Sequence, residues 1–150
     1  MEVEVIISQG VEVGYEVARL SADLEEALGL VLQHAPGGKN ILQELGSISV
    51  AIVSDEEMAD LHLQFMGIEG PTDVITFHHG EIVISQDTAW RVGQEEGTST
   101  YQETLLYGIH GLFHLYGYED LEEPARQEMH RRQEAVLEQV SKSRDTSWKS

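Results

Sequence analysis

A chain of 150 residues with 41% hydrophobic content is long enough for one domain with a proper core, and it holds no apolar run of the length that a membrane-spanning helix needs. It has no cysteine, so disulfides, thiolate metal sites and thiol nucleophiles are excluded, and any metal must be held by His, Asp or Glu. The formal charge of −18, from 27 acidic residues against nine basic ones, suits a soluble surface and works against capture of free nucleic acid by a basic field.

The opening MEVEVIISQG has acids where a signal peptide needs bases, which points to a cytoplasmic protein. EVEVIIS (2–8) partly alternates polar and apolar residues and reads as a strand. Between Tyr15 and His34 the set Leu20, Leu24, Ala27, Leu28 and Val31 follows helical spacing, and Pro36-Gly37-Gly38 stops that helix. SISVAIVS (47–54) is a β-branched run and reads as a second strand. Asp55 is placed to cap a helix running to about Phe65, with Glu56 and Glu57 at its positive end.

Gly67 to Pro71 form a turn, after which Asp73–Phe77 and Glu81–Ser85 are β-rich and joined through His78-His79-Gly80 as in a hairpin. Helical stretches follow near 87–94, 100–116 and 124–140, and the polar SKSRDTSWKS (141–150) is expected to be a disordered tail. Arg126, Arg131 and Arg132 form either a local basic patch or a solvated helix face. Early strands with helices around them predict an α+β fold: one domain over 1–140, with a small sheet of about four strands packed against about five helices.

The stretch IHGLFHLYGYED (109–120) carries the chemistry. On a helix, His110 and His114 are four residues apart and project from one face, where their ring nitrogens can converge on one metal ion. Leu105, Ile109, Leu112, Phe113 and Leu115 surround them, so the helix reads as central and buried nearly all round. A lone histidine there is more simply a satisfied core residue. Two stacked imidazoles are harder to satisfy that way, because each buried ring nitrogen needs its own partner. Gly117 then permits a sharp left-handed turn that can bring Asp120 back as a third ligand. Asp120 can also be read as a cap of the last helix, although Pro124 suits the first helical position and would make Glu123 the cap.

HGLFHLYGYED resembles the HGxLHLxGYDH signature of the YbeY family of bacterial rRNA-maturation endoribonucleases. PTDVITF (71–77) is similar to the family's PTDVLSF strand, and GEIVIS (80–85) to its GDIVIS strand. Glu103, Met129 and Glu134 also fit, so the resemblance covers roughly residues 45–140. It implies a zinc-dependent, single-strand-specific endoribonuclease acting in late small-subunit rRNA maturation and ribosome quality control. One zinc per chain would be held by His110, His114 and Asp120, with Glu103 as a catalytic carboxylate. The RNA would be presented by the ribosomal small subunit or an associated protein, which answers the objection of the acidic surface.

Two departures from the pattern bear on that expectation. The family's third histidine is Asp120 here, a normal zinc ligand but one that leaves the metal a weaker Lewis acid. In the family pattern NxxYRxxxxPTD, His62, Phe65 and Met66 stand at the Asn, Tyr and Arg positions, and methionine cannot pair with a phosphate. Glu103 has a second reading, since Thr100-Tyr101-Gln102-Glu103 has the form of a capping box. His78 and His79 are either exposed or an extra imidazole near the metal. Gly111 stands where HExxH peptidases carry their general base, which disfavours peptide hydrolysis. The competing class is a ribosome-associated binding or assembly module with a structural zinc and weak or lost catalysis.

Overall fold

The computed structural model describes residues 1–142. The elements run β1 (Glu2–Ile7), α1 (Val17–Val31), β2 (Ser47–Val53), α2 (Asp55–Met66), β3 (Val74–Phe77), β4 (Glu81–Ser85), α3 (Gln86–Glu96), α4 (Thr100–Leu115) and α5 (Ala125–Lys142), with a short 3₁₀ turn at Leu42–Glu44. The four strands form one mixed sheet in the order β1-β2-β4-β3. β1, β2 and β4 are mutually parallel, while β3 pairs antiparallel with β4 as the outer arm of a hairpin. Parallel neighbours require crossovers, which α1 supplies between β1 and β2, and α2 with β3 between β2 and β4. The α+β fold expected from the sequence is what forms, and no helix among the described residues is long and apolar enough to cross a membrane.

Period-2 side-chain alternation divides the core. On one face of the sheet, Ile48, Val50, Ile52, Ile82 and Ile84 pack with the buried stripe of α1 and with α4, and α5 closes that layer through Met129, Val136 and Val140. The opposite face holds a smaller cluster, in which Met58 and Leu61 of α2 cover Val53, Ile75 and Val83. Eleven of the sixteen residues of α4 are buried, which makes it the central helix. Its approach needs two glycines. A Cβ on Gly111 would lie 2.8 Å from Ile82 Cδ1, and one on Gly108 would lie 2.6 Å from Leu24 Cδ2. Gly111 therefore faces the sheet and is required by packing, in addition to offering no base.

Several local expectations shift for identifiable reasons. Ser54, not Asp55, caps α2: its Oγ accepts from Glu57 N–H at 3.2 Å. Asp55 is left to accept from Ser85 (2.6 Å), Thr88 (2.7 Å) and Arg91 (3.1 Å), tying α2 to α3. Ser99, not Thr100, caps α4 by accepting from Gln102 N–H, so Glu103 is not the reciprocal member of a capping box. α5 begins at Ala125, and Glu123 pairs with Arg126 instead of capping it. The helix also runs through Ser141 and Lys142, the first two residues of the expected tail; residues 143–150 of that expectation lie outside the described residues. The three arginines form no free basic patch, since Arg126 pairs with Glu123 and both Arg131 and Arg132 pair with Glu128.

Candidate metal centre

The site is built at the C-terminal end of α4. After Leu115 the chain forms a complete Schellman motif: Tyr118 N–H bonds to Phe113 C=O at 3.0 Å, and Gly117 N–H to His114 C=O at 3.1 Å. The apolar contact that accompanies such a motif is the Phe113–Tyr118 ring pair, with centroids 5.3 Å apart. Gly117 takes φ +98°, and a Cβ there would meet Gly38 N at 2.6 Å. The Pro36-Gly37-Gly38 stretch is thus more than a helix stop. It is a seat for this turn, with Gly37 lying against the Tyr118 ring and its N–H bonding to Tyr116 C=O at 3.2 Å.

The turn returns Asp120 to the two histidines. Its Oδ2 lies 3.1 Å from His110 Nε2 and its Oδ1 lies 3.4 Å from His114 Nε2. Each imidazole is fixed from behind. His110 Nδ1–H donates to Gln133 Oε1 of α5 at 2.8 Å, and His114 Nδ1–H donates to Tyr118 C=O at 3.0 Å. With both Nδ1 atoms protonated, the neutral tautomers aim Nε2 lone pairs at a carboxylate. Burial, joined by the neighbouring His110, holds the pKa of His114 below the ordinary histidine value, against the opposing pull of Asp120. Neutral rings would set two lone pairs against an anion, a repulsion that a metal ion between them relieves, as does a proton on Nε2.

That donor set fits a divalent metal. One ligand atom from each of His110, His114 and Asp120 lies within 4.8 Å of the others, and no other such group occurs among the described residues. The side chains are 21%, 25% and 33% exposed, so the site is shielded yet open to a ligand. Asp120 is not a helix cap, because α5 starts five residues later. Gln133 went unmarked in the sequence; only its place one turn after Met129 on an amphipathic helix hinted at an inward-facing amide.

The other candidates sit elsewhere. Glu103 is buried and accepts from Thr98 Oγ1 at 2.9 Å. Burial lifts its carboxyl above the usual range against that hydrogen bond, with the negative charges of Glu134, Glu96 and Asp73 adding to the rise. It stands seven residues, or about 10 Å of helix, from His110. His62 bonds through Nδ1 to Gly70 C=O at 2.8 Å, tying α2 to the turn that follows. His78 is exposed, and His79 stacks on Phe77 and pairs with Glu81, on the α2 side of the sheet. Neither joins the metal cluster. Met66 ends α2 half exposed, just before the left-handed Gly67.

Fold and site together define an α+β domain with a His-His-Asp candidate metal centre at the end of its central helix. The family model "Endoribonuclease YbeY" matches residues 11–141, and the chain belongs to that family. It is 34% identical over 113 residues to Endoribonuclease YbeY of Frankia alni, a match spanning 62% of each protein. It is 28% identical over 148 residues to the Bacillus velezensis protein of the same name, spanning 86% of this chain and 94% of that one. Among solved structures, TM1509 from Thermotoga maritima superposes with a TM-score of 0.63 at 27% identity, over 94% of this chain and 90% of its own.

Proposed function

We propose that this chain is a zinc-dependent, single-strand-specific endoribonuclease of the cytoplasm that acts in late small-subunit rRNA maturation and ribosome quality control. One observation carries the reading. Two imidazole Nε2 lone pairs and a carboxylate converge at 3.1–3.4 Å on an accessible point, with both Nδ1 atoms committed to acceptors behind them. Bound there by His110, His114 and Asp120, zinc supplies Lewis acidity toward a phosphoryl oxygen and makes water a better nucleophile near neutral pH. The names of the relatives, Endoribonuclease YbeY, support RNA as substrate.

The rest of the work falls to the chain itself. His114 stays unprotonated near neutrality because burial lowers its pKa, so its Nε2 remains available as a ligand. Glu103, two helical turns before His110 on the same side of α4, is assigned as the catalytic carboxylate, with burial holding its carboxyl above the usual range. The ribosomal small subunit or an associated protein presents the RNA, since a chain of charge −18 with Arg126, Arg131 and Arg132 paired has little field to capture it. Half-exposed Met66, where the family pattern has arginine, favours a second reading: a ribosome-associated assembly module whose zinc is structural.

Incubation of purified protein with a single-stranded RNA oligonucleotide, with and without a chelator, separates the two. Chelator-sensitive cleavage, lost with the zinc in His114→Ala, is the expected result. A zinc-loaded protein that leaves RNA intact even when presented on small subunits would establish the assembly reading.

A further inference from the structure

Among the described residues, the face of the sheet opposite α4 is covered at one end only. α2 lies over Val53, Ile75 and Val83, leaving a cavity of about 370 Å³ between its C-terminal half and β1. The floor is the small Ala51 beside Val83, and the walls are Ile6 from β1 and Phe65 from α2. Ile6 is 47% exposed and Phe65 57%, unusual for large apolar side chains that flank the same opening. The rim is acidic. Glu57 is held at its edge by Ser8 Oγ at 2.6 Å, and Glu81 stands on β4 beside His79. Register places Glu4 level with Ser49, and Ser49 level with Glu81, so Glu4 joins the same face. Among the described residues, no Lys or Arg lines the groove.

We propose that this groove docks an amphipathic helix of a partner protein, one with an aliphatic face flanked by Lys or Arg. The apolar walls call for an aliphatic ridge, and the carboxylate rim calls for cations beside it. An added strand is a poorer occupant. β1 is the sheet edge beside the groove, and at Val3 that edge is already engaged by α1: its N–H donates to Glu25 (3.1 Å) and its C=O accepts from Ser21 (2.6 Å). A second copy would set one acidic rim against another on chains of charge −18, and an RNA phosphate would meet the same carboxylates. The site lies across the sheet from His110, His114 and Asp120, so it stands or falls independently of the metal chemistry.

The probe is a fluorescein-labelled Leu/Lys amphipathic helix of about 14 residues, roughly four turns. Its Leu/Glu counterpart is the control. Binding to the full chain is expected in the micromolar range and should weaken with salt. Amide shifts should be confined to the surroundings of Ile6, Ala51 and Phe65. The double variant Ile6→Lys/Phe65→Lys should lose about tenfold or more, whereas Trp90→Lys, on exposed α3 surface, should stay within about twofold. Unchanged far-UV circular dichroism and urea unfolding midpoint in every variant confirm an intact fold. The proposal is overturned if the wild type does not bind the Leu/Lys helix, if both charge changes weaken it equally, or if amide shifts fall elsewhere. Sedimentation showing a wild-type dimer that Phe65→Lys splits would also overturn it, in favour of a second copy.

Discussion

Gln133 offers the sharpest test of how the candidate metal centre is built. It is 8% exposed on α5, and its Oε1 is the acceptor that orients the His110 ring, 2.8 Å from Nδ1. Gln133→Ala removes that acceptor, frees the ring to rotate and leaves a buried N–H without a partner. Loss of such an outer contact typically lowers metal affinity about 10- to 100-fold, which corresponds to about 1.4–2.7 kcal/mol. The cost to folding itself should be smaller, about 1 kcal/mol for the hydrogen bond. Competitive zinc titration against a chromogenic chelator near neutral pH reads the first quantity, and a urea unfolding curve of the apoprotein reads the second. Gln133→Glu keeps an acceptor and should hold zinc at least as tightly as the wild type. Affinity within about twofold of wild type in Gln133→Ala, while His114→Ala loses its zinc, would refute the idea that this contact sets the ring.

Asp120→Asn replaces an anion with a poor ligand and should weaken zinc binding by about tenfold or more; wild-type affinity would remove Asp120 from the ligand set. Gly117→Ala forces a Cβ onto φ +98° and to 2.6 Å from Gly38 N, so it should cost about 2 kcal/mol or more. In the same urea assay Gly10→Ala, at φ +85° with open space around it, should cost less, and equal costs would mean the contact with Gly38 is unimportant. Because the folded state holds the Glu103 proton to higher pH than the unfolded chain does, the carboxylate destabilises the fold as pH rises past the ordinary carboxylate range. Glu103→Gln should therefore melt above the wild type at neutral pH, with the gap closing in acid; a lower melting point at neutrality would contradict this. Met66→Arg should raise single-turnover cleavage of single-stranded RNA about tenfold, which needs only about 1.4 kcal/mol, and an unchanged rate at equal zinc loading would show that the arginine is not what the chain lacks.

The elements that could be read in the sequence are those whose signal is local. The α1 stripe Leu20, Leu24, Ala27, Leu28 and Val31 is buried as its spacing predicts, and the β3–β4 hairpin forms around His78-His79-Gly80. The His110–His114 pair and the Gly117 turn belong to the same category, since four-residue spacing and a C-terminal glycine act within two turns of one helix. Caps slipped by one residue, to Ser54 and Ser99, because adjacent capping residues (Ser54 beside Asp55, Ser99 beside Thr100) offer near-equal local patterns.

What only the tertiary structure decided depends on contacts between distant segments. The parallel pairing of β1, β2 and β4 follows from crossovers whose partners no local pattern names. Asp120 could be ligand or cap by spacing alone; the late start of α5 removed the cap reading, and the Tyr118 turn put the carboxylate on both imidazoles. Gln133 lies 23 residues from His110 and Gly38 lies 79 residues from Gly117, yet both shape the site. Helical periodicity records which residues face inward. It carries no record of what they meet there, because that is set by how separate helices pack.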